Sequence, residues 1–208
     1  MANGRFITLE GGEGAGKTTA AEQVTRWLEG RGRKVVRTRE PGGTEAAEKV
    51  RHILLDPETG DLDPMTELLL MFAARAENLA RIVRPAIADG KDVLCDRFTD
   101  ASRAYQGGGR RLGMQVVDRL AGVVHPDLTP DLTLLLDVPV EIGMARVRER
   151  GDQADRFERS KADFLERVRA AYLARARMEP ARIVVIDASQ PLEIVREEIG
   201  RTLEERMQ

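Results

Sequence analysis

The chain has 208 residues, enough for one buried hydrophobic core, and its formal net charge at pH 7 is −2. This charge argues against a general nucleic-acid binder, because such proteins are usually basic overall. A single cysteine, Cys95, excludes an intramolecular disulfide framework and fits a reducing compartment. The sequence starts without a secretory apolar region, and no apolar run approaches a membrane span. We therefore expect one domain over residues 1–208, located in the cytoplasm, that binds neither nucleic acid nor membranes.

Five short apolar segments lack a clean two-residue alternation, as expected for strands buried on both faces of a parallel sheet. These segments are 5–9, 34–38, 92–95, 132–137 and 182–186. Helical patterns occupy the intervening sequence, namely 18–30, 44–55, 64–88, 114–124, 139–150, 161–177 and 191–206. The alternation predicts an α/β fold with three layers, in which helices flank a five-stranded parallel sheet.

The first predicted strand runs into a glycine-rich turn that opens a helical pattern. The turn reads Gly11-Gly12-Glu13-Gly14-Ala15-Gly16-Lys17-Thr18. Glycines let several backbone N–H groups point at one phosphate, and the helix start adds the positive end of its dipole. Lys17 can then reach the β- and γ-phosphates, and the Thr18 hydroxyl can hold Mg²⁺. Because a strand precedes the turn and a helix follows it, we interpret it as the phosphate-binding loop (P-loop) of a P-loop NTPase-like fold. The alternative is a glycine-rich turn with a surface lysine.

Polar side chains follow the predicted strands, where ligands bind in open parallel sheets. Arg39 and Arg97 follow the second and third strands, so both could hold a second anionic substrate beside the triphosphate. Alternatively, they could simply pair with Glu40 and Asp96. Asp96 itself could bind Mg²⁺ through water or orient a hydroxyl group, or it could cap the next helix. Glu10, beside the P-loop, is a further candidate for an outer-shell metal contact.

Two other segments carry side chains suited to a nucleoside. Phe72 and Arg75 lie three residues apart and share a helix face, so they could stack on a base and hydrogen-bond to its edge. The alternative is a buried phenylalanine with an arginine that extends to solvent. Tyr105 and Gln106 precede a glycine triplet, and they could bind a sugar or base or pack the loop. We expect 107–111 to form a mobile loop.

An arginine-rich segment follows the fourth predicted strand. Arg146, Arg148 and Arg150 precede Gly151 and a polar stretch that contains Arg156. Arginines two and four residues apart cannot all pack on one helix face. We therefore predict a short lid, at approximately 146–158, that closes over the transferring phosphates, excludes water and neutralises charge. The alternative is a set of solvated charges.

Several longer motifs occur in a fixed order. Arg-Glu-Pro-Gly-Gly-Thr at 39–44, Asp-Arg-Phe at 96–98 and Ala-Tyr-Gln-Gly-Gly-Gly-Arg at 104–110 follow the P-loop, and Asp-Arg-Phe-Glu stands at 155–158. With these motifs the chain resembles, nearly end to end, the bacterial thymidylate kinases of the nucleoside monophosphate kinase group. The resemblance implies transfer of a phosphoryl group from ATP, with Mg²⁺, to dTMP, giving dTDP and ADP. It also implies a homodimer that pairs through helices, for which the apolar 68–72 surface could serve.

The resemblance implies roles on the dTMP side. Arg39 and Arg97 would hold the dTMP phosphate, and Glu13 would approach the 3′-hydroxyl group. Arg75 would bind the thymine edge, and the other expected contacts are Ser102, Gln106 and Tyr105, the last of which would crowd the 2′ position. In the family an aromatic residue that stacks on the base usually stands four residues before this arginine. Met71 holds that place here, so either Phe72 stacks after a local helix adjustment or Met71 covers the base.

On the ATP side, the resemblance assigns the nucleotide to the P-loop from Gly11 to Thr18. Family members without an arginine in this loop supply one from the lid, and Ala15 matches that arrangement. Arg148 and Arg156 would then bind ATP, and Arg150 would stabilise the transition state. The residues expected to act in catalysis are Lys17, Asp96, Arg97 and Arg150, with Mg²⁺ held by Thr18 and, through water, by Asp96.

Two other functions remain as alternatives. The chain could phosphorylate another nucleotide or a deoxynucleoside. It could also be a nucleotide-dependent switch that uses the P-loop without any acceptor chemistry.

Overall fold

The computed structural model describes residues 4–151, 157 and 162–207. In this part of the chain, parallel strands form one sheet in the order β2-β3-β1-β4-β5. The strands are β1 (Phe6–Gly11), β2 (Val35–Arg39), β3 (Asp92–Asp96), β4 (Leu132–Asp137) and β5 (Ile183–Asp187). Each predicted strand is therefore present and lies within two residues of its expected bounds. The P-loop follows β1 at the centre of the sheet.

The helices of the described residues flank this sheet. They are α1 (Lys17–Glu29), α2 (Glu45–Leu55), α3 (Pro64–Asn78), α4 (Arg84–Ala88), α5 (Thr99–Ser102), α6 (Met114–Val124), α7 (Val140–Arg150), α8 (Ala162–Met178) and α9 (Leu192–Arg206), with a 3₁₀ turn at Pro57–Thr59. The single helix predicted at 64–88 is wrong in one respect, because a π-helical segment, Leu79–Val83, separates α3 from α4. Pro85 lacks an N–H group and crowds the carbonyl four residues earlier, and a wider turn accommodates both effects.

The glycine-rich segment 107–111 is not the mobile loop that the sequence predicted. Arg103–Gly109 is a π-helical segment that continues α5 and packs against α8. A Cβ atom added to Gly109 would lie 2.6 Å from a ring carbon of Phe164, and one added to Gly108 would lie 2.7 Å from the Cβ of Ala171. These glycines are needed for close packing between two helical segments, which is the opposite of the flexibility that we expected.

Hydrophobic layers cover both faces of the sheet. Leu134 of β4 packs with buried side chains of α1 and α9, such as Val24 and Leu203. The next residue, Leu135, points to the other face and packs with Val168 of α8. This alternation on one strand produces the three-layer arrangement and explains why β4 is apolar at successive positions. Within the described ranges, no helix combines the length and the apolar character that crossing a membrane would need.

The first turn of α7 crosses the P-loop at a pair of glycines. A Cβ atom added to Gly143 would lie 2.3 Å from the carbonyl oxygen of Glu13. Conversely, a Cβ atom on Gly14 would lie 2.1 Å from the carbonyl oxygen of Gly143. Both obstacles are backbone atoms, which cannot rotate away as a side chain can. The position of α7 relative to the P-loop therefore depends on this contact.

We expect Gly143→Ala to force α7 and the P-loop apart, which should lower the free energy of unfolding by about 1–3 kcal/mol. The matched control is Gly200→Ala in α9, where nothing lies within 4 Å of the added Cβ atom. Alanine is favoured over glycine in a helix, so the control should be neutral or slightly stabilised. Denaturant unfolding measures both variants. Equal stability of the two would contradict the proposed crossing.

Candidate active site

A cleft of about 480 Å³ opens beside the P-loop, at the carboxyl ends of β1, β2 and β3. Its wall combines P-loop residues with side chains from the segments after β2 and β3 and from α2, α3 and α7. The predicted site residues in this wall are Glu13, Gly14, Ala15, Gly16, Lys17, Thr18, Arg75, Asp96, Arg97, Ser102, Tyr105, Gln106 and Arg150. One continuous space therefore joins the predicted triphosphate site to the predicted second site.

Lys17 lies across the P-loop. Its Nζ donates hydrogen bonds to the carbonyl oxygens of Gly12, at 2.9 Å, and Gly11, at 3.3 Å. Burial lowers the pKa of Lys17. α1 begins at Lys17, so its first N–H groups face the same loop. The ammonium group and the helix start together form the anion site that the sequence predicted.

Glu13 connects the P-loop to the residues after β3 and α5. Its Oε1 accepts hydrogen bonds from Nη2 of Arg97, at 2.8 Å, and from the hydroxyl group of Tyr105, at 2.6 Å. Burial raises the pKa of Glu13, but the positive charges of Arg97 and Lys17 outweigh it, so the pKa is lowered overall. Arg97 itself has φ 71°, a left-handed conformation uncommon in residues with a side chain. Such backbone strain is often found at functional sites.

Asp96 and Thr18 both line the cleft, as does Lys17. Oδ1 of Asp96 is buried and has no hydrogen-bond partner among the described residues. The helix-cap alternative for Asp96 is wrong, because α5 begins after Phe98 without a side-chain cap. Carboxylate and hydroxyl oxygens suit Mg²⁺. The described part of the chain has no cluster of three or more His, Cys, Asp or Glu side chains that could hold a metal ion by themselves.

Glu10 lies beneath the P-loop and outside the cleft wall. Its carboxyl oxygens accept hydrogen bonds from the N–H group of Phe98 and from the hydroxyl group of Tyr172, both at 2.8 Å. Burial, reinforced by the negative charge of Asp100, raises the pKa of Glu10 to about 8. Both oxygens accept from protein donors and the residue lies outside the cleft wall, so this geometry does not favour the outer-shell metal contact for which Glu10 was a candidate.

Arg75 is buried and held on two sides. Its Nε donates to Oε2 of Glu40 at 2.7 Å, and its Nη2 donates to Oγ of Ser102 at 3.1 Å. With 2% of its surface exposed, the side chain does not extend to solvent, so that alternative is wrong. The remaining nitrogen, Nη1, is buried without a hydrogen-bond partner in the described structure. Arg75 thus provides a rigid donor in the cleft wall.

Phe72 does not line the cleft and is buried, so it is not placed to bind a base, one of the two roles that we considered for it. Its ring lies 4.4 Å from the guanidinium carbon of Arg75 and stacks on His125, with 6.5 Å between the ring centroids. Around it is a small hydrophobic cluster that includes Leu68. Met71 lines the cleft instead. α3 is a regular helix at this point, without the local adjustment that would turn Phe72 toward the base. Phe72 therefore faces the core, and Met71 faces the cleft.

Gln106 also lines the cleft, and Glu67 of α3 holds its side-chain amide. Its Nε2 donates to Oε1 of Glu67 at 2.8 Å, and Arg110 forms an ion pair with the same carboxylate. The side chain of Glu67 is fully buried. Because the carboxylate accepts from the amide nitrogen, the amide orientation of Gln106 is set by α3.

Arg51 occupies the place in the cleft wall that the sequence suggested for Arg39. Arg39 is about half exposed, forms an ion pair with Glu48 at 2.9 Å and is not in the cleft wall. Arg51, which our sequence analysis missed, lines the cleft, and its Nη1 donates to the carbonyl oxygen of Pro41 at 2.9 Å. The signal was available, because Glu48 and Arg51 lie three apart on the helix that follows the 39–44 motif.

The arginines of the predicted lid divide by helical position. Arg146 and Arg150, four residues apart, both line the cleft. Arg148, between them, is exposed and is not among the described cleft residues. The positive charge of Arg150 contributes to the lowered pKa of Glu13, which indicates that the two groups are near each other. Arg156 lies outside the described residues.

A second, mostly apolar cavity of about 260 Å³ adjoins the outer side of the P-loop. Gly16 and Thr19 form one wall, and Ala188 and Gln190, which follow β5, form another. Arg146 borders both this cavity and the main cleft, and its Nη1 donates to the carbonyl oxygen of Ala188 at 2.8 Å. The P-loop therefore lies between two spaces, one on each side.

Comparisons with known proteins agree with this geometry. The family model described as thymidylate kinase matches residues 9–199. A thymidylate kinase of Chromohalobacter salexigens is 56% identical over 208 residues, which cover 100% of this chain and 98% of that protein. One of Pseudomonas fluorescens is 55% identical over 189 residues, covering 91% of this chain and 90% of that protein.

A solved structure is also similar. The crystal structure of thymidylate kinase from Ehrlichia chaffeensis has a TM-score of 0.78 and 33% sequence identity, and the match covers 97% of this chain and 99% of that chain. The sheet order, the P-loop and the cleft are therefore those of a P-loop kinase fold. Since the family model spans most of the sequence, this chain belongs to the thymidylate kinase family.

Proposed function

We propose that the protein transfers the γ-phosphoryl group of ATP to dTMP and releases dTDP and ADP. The observation that carries this proposal is the continuous cleft, in which the P-loop and a second polar site share Glu13 and Arg97. Two phosphate-binding groups with a common border can place a donor and an acceptor in line. Holding them so supplies a large part of the rate enhancement in phosphoryl transfer.

ATP would place its phosphates on the P-loop backbone, with Lys17 near the β- and γ-phosphates. Its base would occupy the 260 Å³ cavity beside Arg146. Thr18 and Asp96 are the residues that would hold Mg²⁺, Asp96 through water, and the ion when bound would neutralise phosphate charge. The buried, unpaired Oδ1 of Asp96 supports this assignment.

dTMP would occupy the other end of the cleft. Its phosphate would bind Arg97 and Arg51, with Arg39 as an outer cation. Glu13 would accept a hydrogen bond from the 3′-hydroxyl group, and the ring of Tyr105 would restrict space at the 2′ position.

The thymine base would lie against Met71. Its edge would accept a hydrogen bond from the unpaired Nη1 of Arg75, and Ser102 and Gln106 would complete the contacts. A base that carries a keto oxygen opposite Nη1 of Arg75 is favoured, because an amino group there is itself a donor and would leave the buried N–H group of Arg75 without an acceptor.

The transfer needs little acid–base chemistry, because the attacking phosphate oxygen of dTMP is already ionised. The charges of Lys17, Arg97 and Arg150 would stabilise the negative charge on the transferring group. Closure of the lid would exclude water and so prevent hydrolysis of ATP.

The first test is a panel of acceptors with ATP and Mg²⁺. Steady-state rates on dTMP, dUMP, dCMP, GMP and AMP should show a marked preference for dTMP, and Lys17→Ala should abolish turnover. A preference for another acceptor would overturn the substrate assignment. Slow ADP release that is indifferent to dTMP would instead support a nucleotide-dependent switch.

The lid arginines provide a second test. Arg150→Ala should lower kcat by at least about 100-fold with a smaller effect on nucleotide affinity, because the guanidinium acts mainly in the transition state. Arg148→Ala is the matched comparison, because Arg148 lies outside the cleft wall, which argues against the ATP contact that the resemblance implied, and the variant should keep kcat within about twofold. Single-turnover rates and equilibrium nucleotide binding measure the two effects. Wild-type kcat in Arg150→Ala would contradict this role.

We also propose a homodimer that pairs through α2, α3 and α6. Of the 68–72 surface that the sequence suggested, Leu68 and Phe72 are buried in the core, while Leu69 is 50% exposed. Met65 on the same helix is also exposed, as are Ile53 on α2 and Val123 on α6, the two helices that pack against α3. Apolar side chains grouped in this way are typical of protein–protein contacts.

Leu69→Glu should convert the dimer to a monomer, because a charge at the centre of an apolar interface remains unpaired. The control is Ile194→Glu on α9, where the native side chain is 47% exposed. Sedimentation velocity at micromolar concentrations should show a monomer for the first variant only. A wild-type monomer, or a Leu69→Glu dimer, would contradict the proposed interface.

A cytoplasmic location stays a prediction. Cys95 is a buried free thiol, which is consistent with the reducing compartment that the composition suggested.

A further inference from the structure

α8, which begins just after the expected lid, makes polar contacts with elements that carry the active site. Arg167 donates to the carbonyl oxygen of Gly109, and Arg169 forms a two-bond ion pair with Asp137 at the end of β4. Tyr172 and Arg175, further along the helix, contact Glu10 and Asp100. Of these four side chains, Tyr172 also contacts Arg97, which lines the cleft.

The hydroxyl group of Tyr172 lies between Glu10 and Arg97. It donates a hydrogen bond to Oε2 of Glu10 at 2.8 Å and accepts one from Nη1 of Arg97 at 3.3 Å. The other oxygen of Glu10 accepts from the N–H group of Phe98, the residue after Arg97. One buried carboxyl group is therefore linked to Arg97 twice, through the adjacent backbone and through the tyrosine hydroxyl.

The P-loop also holds the guanidinium of Arg97, through Oε1 of Glu13 and through the carbonyl oxygen of Gly11, which accepts from Nη1 at 2.9 Å. Tyr172 of α8 adds a third contact. The backbone of Arg97 is in the left-handed region, and its side chain must place a guanidinium group between the P-loop and the acceptor site. Fixing a free arginine side chain costs up to about 2 kcal/mol of conformational entropy. A hydrogen bond that the guanidinium donates to the hydroxyl group of a rigid ring reduces the number of orientations it can adopt before substrate arrives. Tyr172 is 3% exposed and lies outside the wall of the main cleft, so it does not touch substrate itself.

We propose that Tyr172 is a positioning residue, whose hydroxyl group, held by Glu10, orients the guanidinium of Arg97 for the acceptor phosphate. The proposal rests on the phosphoryl transfer proposed above. The proposal predicts different effects on the two substrates. Arg97 would bind the acceptor phosphate, whereas the binding of ATP would depend mainly on the P-loop backbone, Lys17 and the cavity beside Arg146. Loss of the hydroxyl group should therefore affect dTMP and leave ATP binding nearly unchanged.

The test is Tyr172→Phe, which removes one oxygen atom and keeps the buried ring. KM for dTMP should rise, or kcat should fall, so that kcat/KM for dTMP decreases roughly tenfold, as for a lost hydrogen bond to a charged group. KM for ATP should stay within about twofold. Unchanged kcat/KM for dTMP in a folded variant would overturn the proposal.

Two further variants exclude a general loosening of the fold. Arg175→Ala removes another polar contact of α8, to Asp100 and Glu179, neither of which lines the cleft, and should lower thermal stability without raising KM for dTMP. In an Arg97→Lys background, Tyr172→Phe should change kcat/KM by less than about twofold, because its partner is gone. A tenfold loss in Arg175→Ala, or an undiminished effect of Tyr172→Phe beside Lys at position 97, would overturn the proposal.

The same measurements distinguish the two levels of inference. A wild-type enzyme that does not phosphorylate dTMP contradicts the proposed function before any variant is compared. A wild-type enzyme that phosphorylates dTMP, with Tyr172→Phe equally active, contradicts only the role of Tyr172.

Discussion

The ion pair between Arg97 and Glu13 joins the end of β3 to the P-loop at the border of the two proposed substrate sites. Around it, Tyr105 donates to the same carboxylate, Tyr172 supports the guanidinium, and Glu10 holds the backbone that follows. Burial strengthens these contacts, because charges separated from water interact more strongly. A cluster of this kind keeps a strained arginine in one orientation, and the geometry of the cleft depends on it.

The donor side depends on a different constraint, the close crossing of α7 and the P-loop at Gly14 and Gly143. This crossing sets the direction of α7, and helical periodicity then brings Arg146 and Arg150 to the cleft. Arg146 also reaches the carbonyl oxygen of Ala188 beyond β5, so one helix connects both cavities beside the P-loop. α8 makes the corresponding connections on the acceptor side.

Local patterns predicted the positions of the strands well, because each is an apolar segment followed by polar residues. The expectation that the strands are buried on both faces is wrong for β2 and β5, which lie at the edges of the sheet and are partly exposed. The π-helical segments were not predicted, since a change in hydrogen-bond register barely alters the spacing of apolar residues. The glycine triplet at 107–109 was misread for a related reason. Glycine permits both flexibility and close packing, and only the presence of Phe164 and Ala171 of α8 distinguishes the two.

The sequence by itself determined the succession of strands and helices along the chain, the P-loop and the set of charged residues near it. These features follow from local spacing and residue chemistry. Tertiary structure decided which of those charges enter the cleft. Arg51 faces it while Arg39 pairs with Glu48, and Met71 faces it while Phe72 packs behind Arg75. These choices differ by one helical residue or one ion pair, and they depend on partners distant in sequence that local patterns do not contain.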